Sequence, residues 1–121
     1  MLLNQFYTLQ KQESDGAKIS AIVAFNKEHK IFDGHFPGNP VVPGVCMMQI
    51  LREIMEIEVA QDLKILKGDN MKFLSIINPL ENPEVEVSLS YVVSGSQLNI
   101  NATLLSGSVT FFKFKGTFEK V

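Results

Sequence analysis

The chain has 121 residues and a formal net charge of −2, which fits one domain with a single hydrophobic core. Charges of both signs are spread along it, which argues against the basic surface that nucleic-acid binding requires. Its one cysteine, Cys46, excludes an internal disulfide. No apolar stretch approaches the ~18 residues of a membrane span, and no leader pattern opens the chain, so we expect a soluble, cytoplasmic protein with no membrane span.

The first predicted elements are a hairpin and a helix. Alternating apolar residues over 19–25 predict a strand, and a turn at 14–16 joins it to an earlier strand over 6–12. Residues 44–60 are mostly apolar over a length that suits a helix, and Pro43 suits its entrance. Because this helix is apolar around its circumference, we expect it to be buried.

A period of two returns after residue 64 and predicts the rest of a sheet. Strands are predicted over residues 84–93, 98–104 and 112–118, with Ser-Gly-Ser turns at 94–96 and 106–108. One buried helix with an antiparallel sheet is an α+β fold, and wrapping the sheet around the helix is the simplest way to bury both apolar faces.

The loop between the hairpin and the helix carries the strongest functional signal. Residues 34–45 read GHFPGNPVVPGV, so His35 lies in a segment whose glycines and prolines fix the backbone path. A histidine has an ordinary pKa near ~6.5 and can act as acid or base at neutral pH. His35 is therefore a candidate catalytic residue, and the alternative is a tight structural loop whose histidine is only packed.

This segment resembles the signature GHFPGxPxxPGV of the FabZ/FabA-type (3R)-hydroxyacyl-[acyl carrier protein] dehydratases, which have the hotdog fold. Residues 71–80 are similar to the family's strand and loop KFLRPVxPGD, although Ser75 replaces its arginine. The resemblance implies a single hotdog domain over residues 1–121, with an antiparallel sheet wrapped around one long central helix. It also implies a homodimer or higher oligomer with sites shared between subunits, in which His35 of one chain faces residue 49 of the other.

The resemblance suggests roles for the residues in and after the motif. His35 would remove the proton next to the thioester carbonyl. The free N–H group of Gly44, or that of Val45 beside it, at the helix start would stabilise the enolate oxygen. A glycine also suits the entry turn by its size alone. Phe36 and Phe32 would either wall an acyl tunnel or fill the core.

The family's acid position departs from the pattern. The family carries Glu or Asp fourteen residues after the histidine, where this chain has Gln49. An amide can position a group by hydrogen bonds but cannot supply a proton usefully. Glu53, one helical turn on, is a candidate auxiliary acid. The interpretation we favour is that Glu53 and Glu56 are solvated or pair with Arg52.

Three functions therefore stay open. The leading hypothesis is a dehydratase-like enzyme of fatty-acid or polyketide-like biosynthesis, slowed by Gln49, that acts on acyl groups carried by an acyl carrier protein or by CoA. The second is a hotdog acyl thioesterase in which Gln49 holds the attacking water. The third is a non-catalytic acyl-thioester-binding homologue. Cations should bind the acidic carrier, and the sequence does not rank the candidates Arg52, Lys64, Lys67 and Lys72.

No cofactor or metal is expected. Two histidines and one distant cysteine lack the spacing of a metal site, and no phosphate-binding glycine loop is present. We expect His29 to lie in a solvated loop because its neighbours are charged. Met47, Met48 and Met55 are expected in the core rather than on a substrate surface.

Overall fold

The computed structural model describes residues 1–33 and 40–121, so His35 and Phe36 lie outside the described residues. The described residues form one α-helix, six strands and a short 3-10 helix. In chain order these are β1 (Tyr7–Asp15), β2 (Lys18–Phe25), the 3-10 helix (Lys30–Phe32), α1 (Gly44–Val59), β3 (Leu63–Phe73), β4 (Glu84–Ser94), β5 (Gln97–Ser106) and β6 (Val109–Lys120).

The strands form one antiparallel sheet in the order β1-β2-β4-β5-β6-β3. The three predicted turns are confirmed, and each has a glycine at positive φ: Gly16 at 62°, Gly95 at 62° and Gly107 at 57°. Glycine adopts this conformation without a steric penalty, which is why these turns are readable from sequence. Strand β3 follows the helix in sequence but pairs with β6, so β1 and β3 are the two edges of the sheet.

The sheet curves around α1, because both of its edges contact that helix. Ser14 of β1 donates a hydrogen bond to Glu58 of α1 at 2.5 Å, and the N–H of Leu63 in β3 donates to Glu56 at 2.9 Å. Tyr91, in the middle of the sheet, also donates to Glu58 at 3.0 Å. The predicted α+β hotdog arrangement of a sheet wrapped around one helix is confirmed.

The helix begins after Pro43, as predicted, but it is not buried all round. Val45 is 77% exposed and Ile57 is 46% exposed, so the expectation of a fully buried helix is wrong at these positions. One curved sheet covers one side of a helix, and the other side of α1 remains open. Within the described residues, no helix combines the length and hydropathy that crossing a membrane requires.

Edge strand β3 is the most exposed strand and carries apolar side chains. Ile65, Leu66, Met71 and Phe73 are between 38% and 55% exposed, and only Leu63 of this strand is buried. An edge strand presents backbone N–H and C=O groups to which another strand can pair. The open side of α1 and the apolar edge β3 therefore lie next to each other.

Candidate functional site

An open groove of about 690 Å³ lies between the first turns of α1 and edge strand β3. Its lining residues are Gly44, Val45, Met48, Gln49 and Arg52 of α1 and Lys64, Ile65, Met71 and Phe73 of β3. Three residues predicted for the site, Gly44, Val45 and Gln49, thus share one space. Most of the wall is apolar, as in sites that bind alkyl groups.

The start of α1, which lines this groove, has two backbone donors without an acceptor among the described residues. Pro43 caps the helix without a side-chain hydrogen bond, and no acidic residue lies in the first turn. The N–H groups of Cys46 and Met47 donate to the Pro43 carbonyl, whereas those of Gly44 and Val45 donate to no acceptor within the described part of the chain. Free donors at the positive end of a helix favour an oxygen that carries negative charge.

Gly44 has a packing reason to be glycine. A Cβ on this residue would lie 2.7 Å from the ring of Phe73, so the ring would have to move. The Phe73 ring is itself stacked on Phe112 with a centroid distance of 4.6 Å. The missing side chain therefore lets β3 approach the helix start, and the role of the Gly44 amide stays a prediction.

Glu53 is fully buried, with no exposed surface, so the favoured expectation that it is solvated is wrong. Its Oε1 accepts hydrogen bonds from the N–H of Leu3 at 2.9 Å and the hydroxyl of Tyr7 at 3.0 Å. Its Oε2 accepts from the N–H of Leu2 at 2.9 Å and from Nε2 of Gln49 at 2.8 Å. These four donors fill the lone-pair sites of the carboxylate. Two of them are backbone amides of the N-terminal segment. Backbone donors of this kind cannot be predicted from the pattern of side chains in the sequence.

The contact with Glu53 orients Gln49. A carboxylate accepts hydrogen bonds and does not donate them, so the amide nitrogen of Gln49, not its oxygen, must face Glu53. Gln49 also lines the groove, whereas Glu53 does not. The carbonyl oxygen of Gln49, which does not face Glu53, and the second N–H of its amide are therefore left for other partners.

Arg52 and Glu56 do not pair with each other, contrary to the favoured expectation. Arg52 donates from Nη1 to the carbonyl of Leu63 at 3.4 Å, and Glu56 accepts from the N–H of the same residue at 2.9 Å. Both side chains thus hold the start of β3 against the helix. Lys64, the next residue, lies 3.3 Å from Glu119, and it lines the groove together with Arg52.

The Tyr7 hydroxyl and the Cys46 thiol, which lie close to the buried carboxylate, stay protonated at neutral pH. Burial, followed by the charge of Glu53, raises the pKa of the Tyr7 hydroxyl well above its usual range. Burial and Glu53 also raise the pKa of the Cys46 thiol. Cys46 is buried in the core, so it behaves as a small hydrophobic group and not as a nucleophile.

Several further predictions meet mixed outcomes. Met47 and Met55 are in the core as expected, and Met48 is partly buried against that core while it also lines the groove. Phe32 is buried and stacks on Phe6 at 5.0 Å, which supports the core alternative.

His29 is also not a solvated residue. It is half-buried, its Nδ1 accepts from the N–H of Ile31 at 3.1 Å, and its ring meets the edge of Phe6 at 5.4 Å. This histidine caps the short 3-10 helix that precedes the motif. Among residues 1–33 and 40–121, no cluster of His, Cys, Asp and Glu could hold a metal ion.

Sequence comparison connects the groove with a family of enzymes. The profile of the ApeI-like family, described as ApeI dehydratase, matches residues 10–107. The 3-hydroxyacyl-[acyl-carrier-protein] dehydratase FabZ of Caulobacter vibrioides is 32% identical over 87 residues, which cover 70% of this chain and 50% of that protein. FabZ of Ralstonia nicotianae is 30% identical over 98 residues, which cover 81% and 57%. The chain thus spans about half the length of the curated relatives it matches.

Solved structures agree on the fold. The dehydratase heterocomplex ApeI:P from Xenorhabdus doucetiae superposes with a TM-score of 0.74 at 15% identity and covers 94% of this chain and 98% of that one. A Campylobacter jejuni virulence protein, Cj0977, superposes with a TM-score of 0.71 at 8% identity, covering 98% and 88%. At these identities, the likeness is one of fold.

The hydrogen bond between Tyr7 and Glu53 predicts a pH-dependent contribution to stability. The folded state raises the pKa of Tyr7, so its contribution is complete below about 10, the ordinary tyrosine pKa, and is lost as the pH rises above that value. The free energy of unfolding should be about 1.5–3 kcal/mol larger for wild type than for Tyr7→Phe at pH 8. The difference should fall by up to ~1.4 kcal/mol per pH unit above ~10.

Urea unfolding of both proteins at pH 8 and at about pH 11 measures this difference. Comparing two proteins that differ by one oxygen cancels the titration of the lysines. A difference that stays constant, or that grows with pH, would show that the folded protein does not hold the Tyr7 hydroxyl neutral by burial and the neighbouring charge of Glu53.

Proposed function

Because the chain belongs to the ApeI-like dehydratase family, we propose that it dehydrates 3-hydroxyacyl thioesters in fatty-acid or polyketide-like biosynthesis, with an acyl carrier protein as the main partner and acyl-CoA as the alternative. The observation that carries this proposal is the groove itself. It combines two N–H groups at a helix start, which have no acceptor among the described residues, with a largely apolar wall. The first lining residue, Gly44, follows His35 closely in sequence.

The elimination consists of three operations: proton removal, stabilisation of the charge on the carbonyl oxygen, and loss of the hydroxyl as water. His35 removes a proton from the carbon next to the thioester carbonyl, and the electron pair moves onto the carbonyl oxygen. The N–H groups of Gly44 and Val45 stabilise that oxygen as its charge develops. The C–O bond to the 3-hydroxyl then breaks as the C=C bond forms, and the hydroxyl takes a proton and leaves as water. The net reaction needs no cofactor, because no electrons enter or leave the substrate.

Gln49 cannot provide the proton for that last step. The protonated imidazole of His35 carries the proton taken from carbon and can return it to the leaving hydroxyl, which balances the reaction. Without a separate general acid, we expect a rate lower by about 10²- to 10⁴-fold than that of an enzyme with a carboxyl at this position. Gln49 acts by positioning the substrate.

Arg52 and Lys64 are the cations that suit the carrier arm. Both line the groove. Lys67 and Lys72 are on β3 with Lys64 but do not line the groove, so we rank them lower. A phosphopantetheine arm carries one phosphate, to which an arginine can bind in a bidentate manner. The acidic surface of a carrier protein would also be attracted to these two positive side chains.

A second copy of the chain completes the site. The groove is open beside edge strand β3, whose apolar side chains are exposed. Antiparallel pairing of β3 with β3 of another copy would give the backbone N–H and C=O groups of this edge strand their hydrogen-bond partners, and it would cover these side chains. The resemblance to the dehydratases implies that His35 of the partner then faces Gln49. The proposed assembly is therefore a homodimer with two composite sites.

Ile65→Glu should convert the dimer into monomer, because it places a charge in the apolar β3 edge. Val92→Glu is the matched control, since Val92 is 65% exposed on β4, within the sheet and away from this edge. Light scattering after size-exclusion chromatography measures the mass of each protein. The proposal predicts dimers for wild type and Val92→Glu. A wild-type monomer at tens of micromolar, or a dimer that persists in Ile65→Glu, contradicts it.

The activity is tested with a 3-hydroxyacyl N-acetylcysteamine thioester, following enoyl product and free thiol in the same reaction. We expect enoyl product from wild type, and a loss of at least ~10²-fold in His35→Ala. His29→Asn, which changes the other histidine and keeps a capping side chain, should retain activity.

Each other outcome identifies a different protein. Free thiol without enoyl product would show a thioesterase, with Gln49 holding the water. Binding of the acyl thioester without either product would show a non-catalytic binding protein. Equal activity in wild type and His35→Ala would remove His35 from the mechanism.

A further inference from the structure

We propose that Glu53 is a positioning residue that sets the hydrogen-bonding direction of Gln49, so that the Gln49 carbonyl oxygen accepts a hydrogen bond from the 3-hydroxyl group of the substrate. The identity of the substrate rests on the proposed function; the orientation of Gln49 does not. Glu53 thereby changes from a candidate acid into the group that makes the site selective for a hydroxylated acyl chain.

The first step of the argument is that Glu53 is fully committed. It is completely buried, and its two oxygens accept from Leu2, Leu3, Tyr7 and Gln49 at 2.8–3.0 Å. Three of these donors belong to the N-terminal segment and β1, so the carboxylate is fixed by parts of the chain that do not line the groove. A carboxylate in these contacts has no lone pair left for a substrate.

The second step is that Gln49 has only one favourable orientation. If its amide turned by 180°, its carbonyl oxygen would face Oε2 of Glu53, and two acceptors would meet at about the present 2.8 Å separation. Such a contact loses a hydrogen bond and adds repulsion between oxygens. A glutamine beside a neutral amide would lack this preference, because an amide both donates and accepts.

The third step concerns what the groove then recognises. Beside the apolar side chains of the groove, such as Met48 and Met71, an acceptor oxygen binds an O–H donor and gains nothing from a methylene group. A 3-hydroxyacyl chain brings that donor, and the corresponding saturated acyl chain does not. The oriented Gln49 therefore discriminates between them, by about 2- to 10-fold for one neutral hydrogen bond.

The test uses unreactive ligands, so it does not depend on turnover. The probes are the carboxamide analogues of 3-hydroxyhexanoyl pantetheine and of hexanoyl pantetheine, and calorimetry gives the ratio of their dissociation constants. Wild type should bind the hydroxylated analogue about 2- to 10-fold more tightly, and Glu53→Gln should bring the ratio close to one. Tyr7→Phe is the matched control: it removes one donor from the same carboxylate and leaves Gln49 bonded, so the ratio should be kept even if stability falls.

A spectroscopic signal tests the orientation by itself. The side-chain amide of Gln49 is assigned in a nitrogen-15 NMR spectrum as the pair of peaks lost in Gln49→Glu. One of its N–H protons should resonate downfield in wild type and in Tyr7→Phe, because it is bonded to a carboxylate, and should move upfield in Glu53→Gln. An unchanged peak in Glu53→Gln would overturn the positioning role.

The outcomes separate this inference from the proposed reaction. A ratio near one in wild type, or no binding of either analogue, overturns the substrate contact. The expected ratios and NMR shifts without enoyl product would leave the role of Glu53 standing and remove the dehydratase. Enoyl product with a ratio that is the same in wild type and Glu53→Gln would do the reverse.

Discussion

The buried carboxylate of Glu53 is the contact on which the described site depends. An ionised group without water is strongly unfavourable unless its lone pairs are filled, and here four donors from three parts of the chain fill them. The N-terminal segment, β1 and α1 are therefore held in one arrangement around one side chain. Because Gln49 supplies one of the four donors, the same contact that joins these elements also turns the carbonyl oxygen of Gln49 away from Glu53.

The opposite wall of the groove depends on contacts between the helix and β3. Arg52 and Glu56 bind the backbone of Leu63 from the same helix face, so the first residue of β3 is attached at two points. At the far end of the strand, the absence of a side chain at Gly44 lets the ring of Phe73 lie against the helix start. The width of the groove thus follows from one pair of polar anchors and one close approach, with apolar side chains between them.

Local features were predictable from sequence, and non-local ones were not. The helix start after Pro43 and the turns at Gly16, Gly95 and Gly107 follow from backbone preferences of those residues. The burial of Glu53 was missed because two of its partners are backbone amides 50 and 51 residues away. The position of β3 at the sheet edge was missed for a similar reason, since its pairing with β6 joins distant parts of the chain. The apolar side chains within 71–80 were the sequence feature that could have indicated this strand. The motif residues His35 and Phe36 lie outside the described residues, and their roles stay predictions.

Gln49 stands where the motif's family carries a carboxylate, and a carboxylate, Glu53, lies one helical turn on. Exchanging the two side chains tests the central claim most directly. In Gln49→Glu/Glu53→Gln, the carboxyl faces the groove and the amide faces the N-terminal segment. The roles assigned here predict that enoyl formation rises at least ~10-fold above wild type, because a general acid is restored. Gln49→Glu alone should gain less, since two carboxylates would then lie side by side. A folded exchange variant that binds the hydroxylated analogue but forms enoyl product no faster than wild type would contradict the assignment of Gln49 to the acid position.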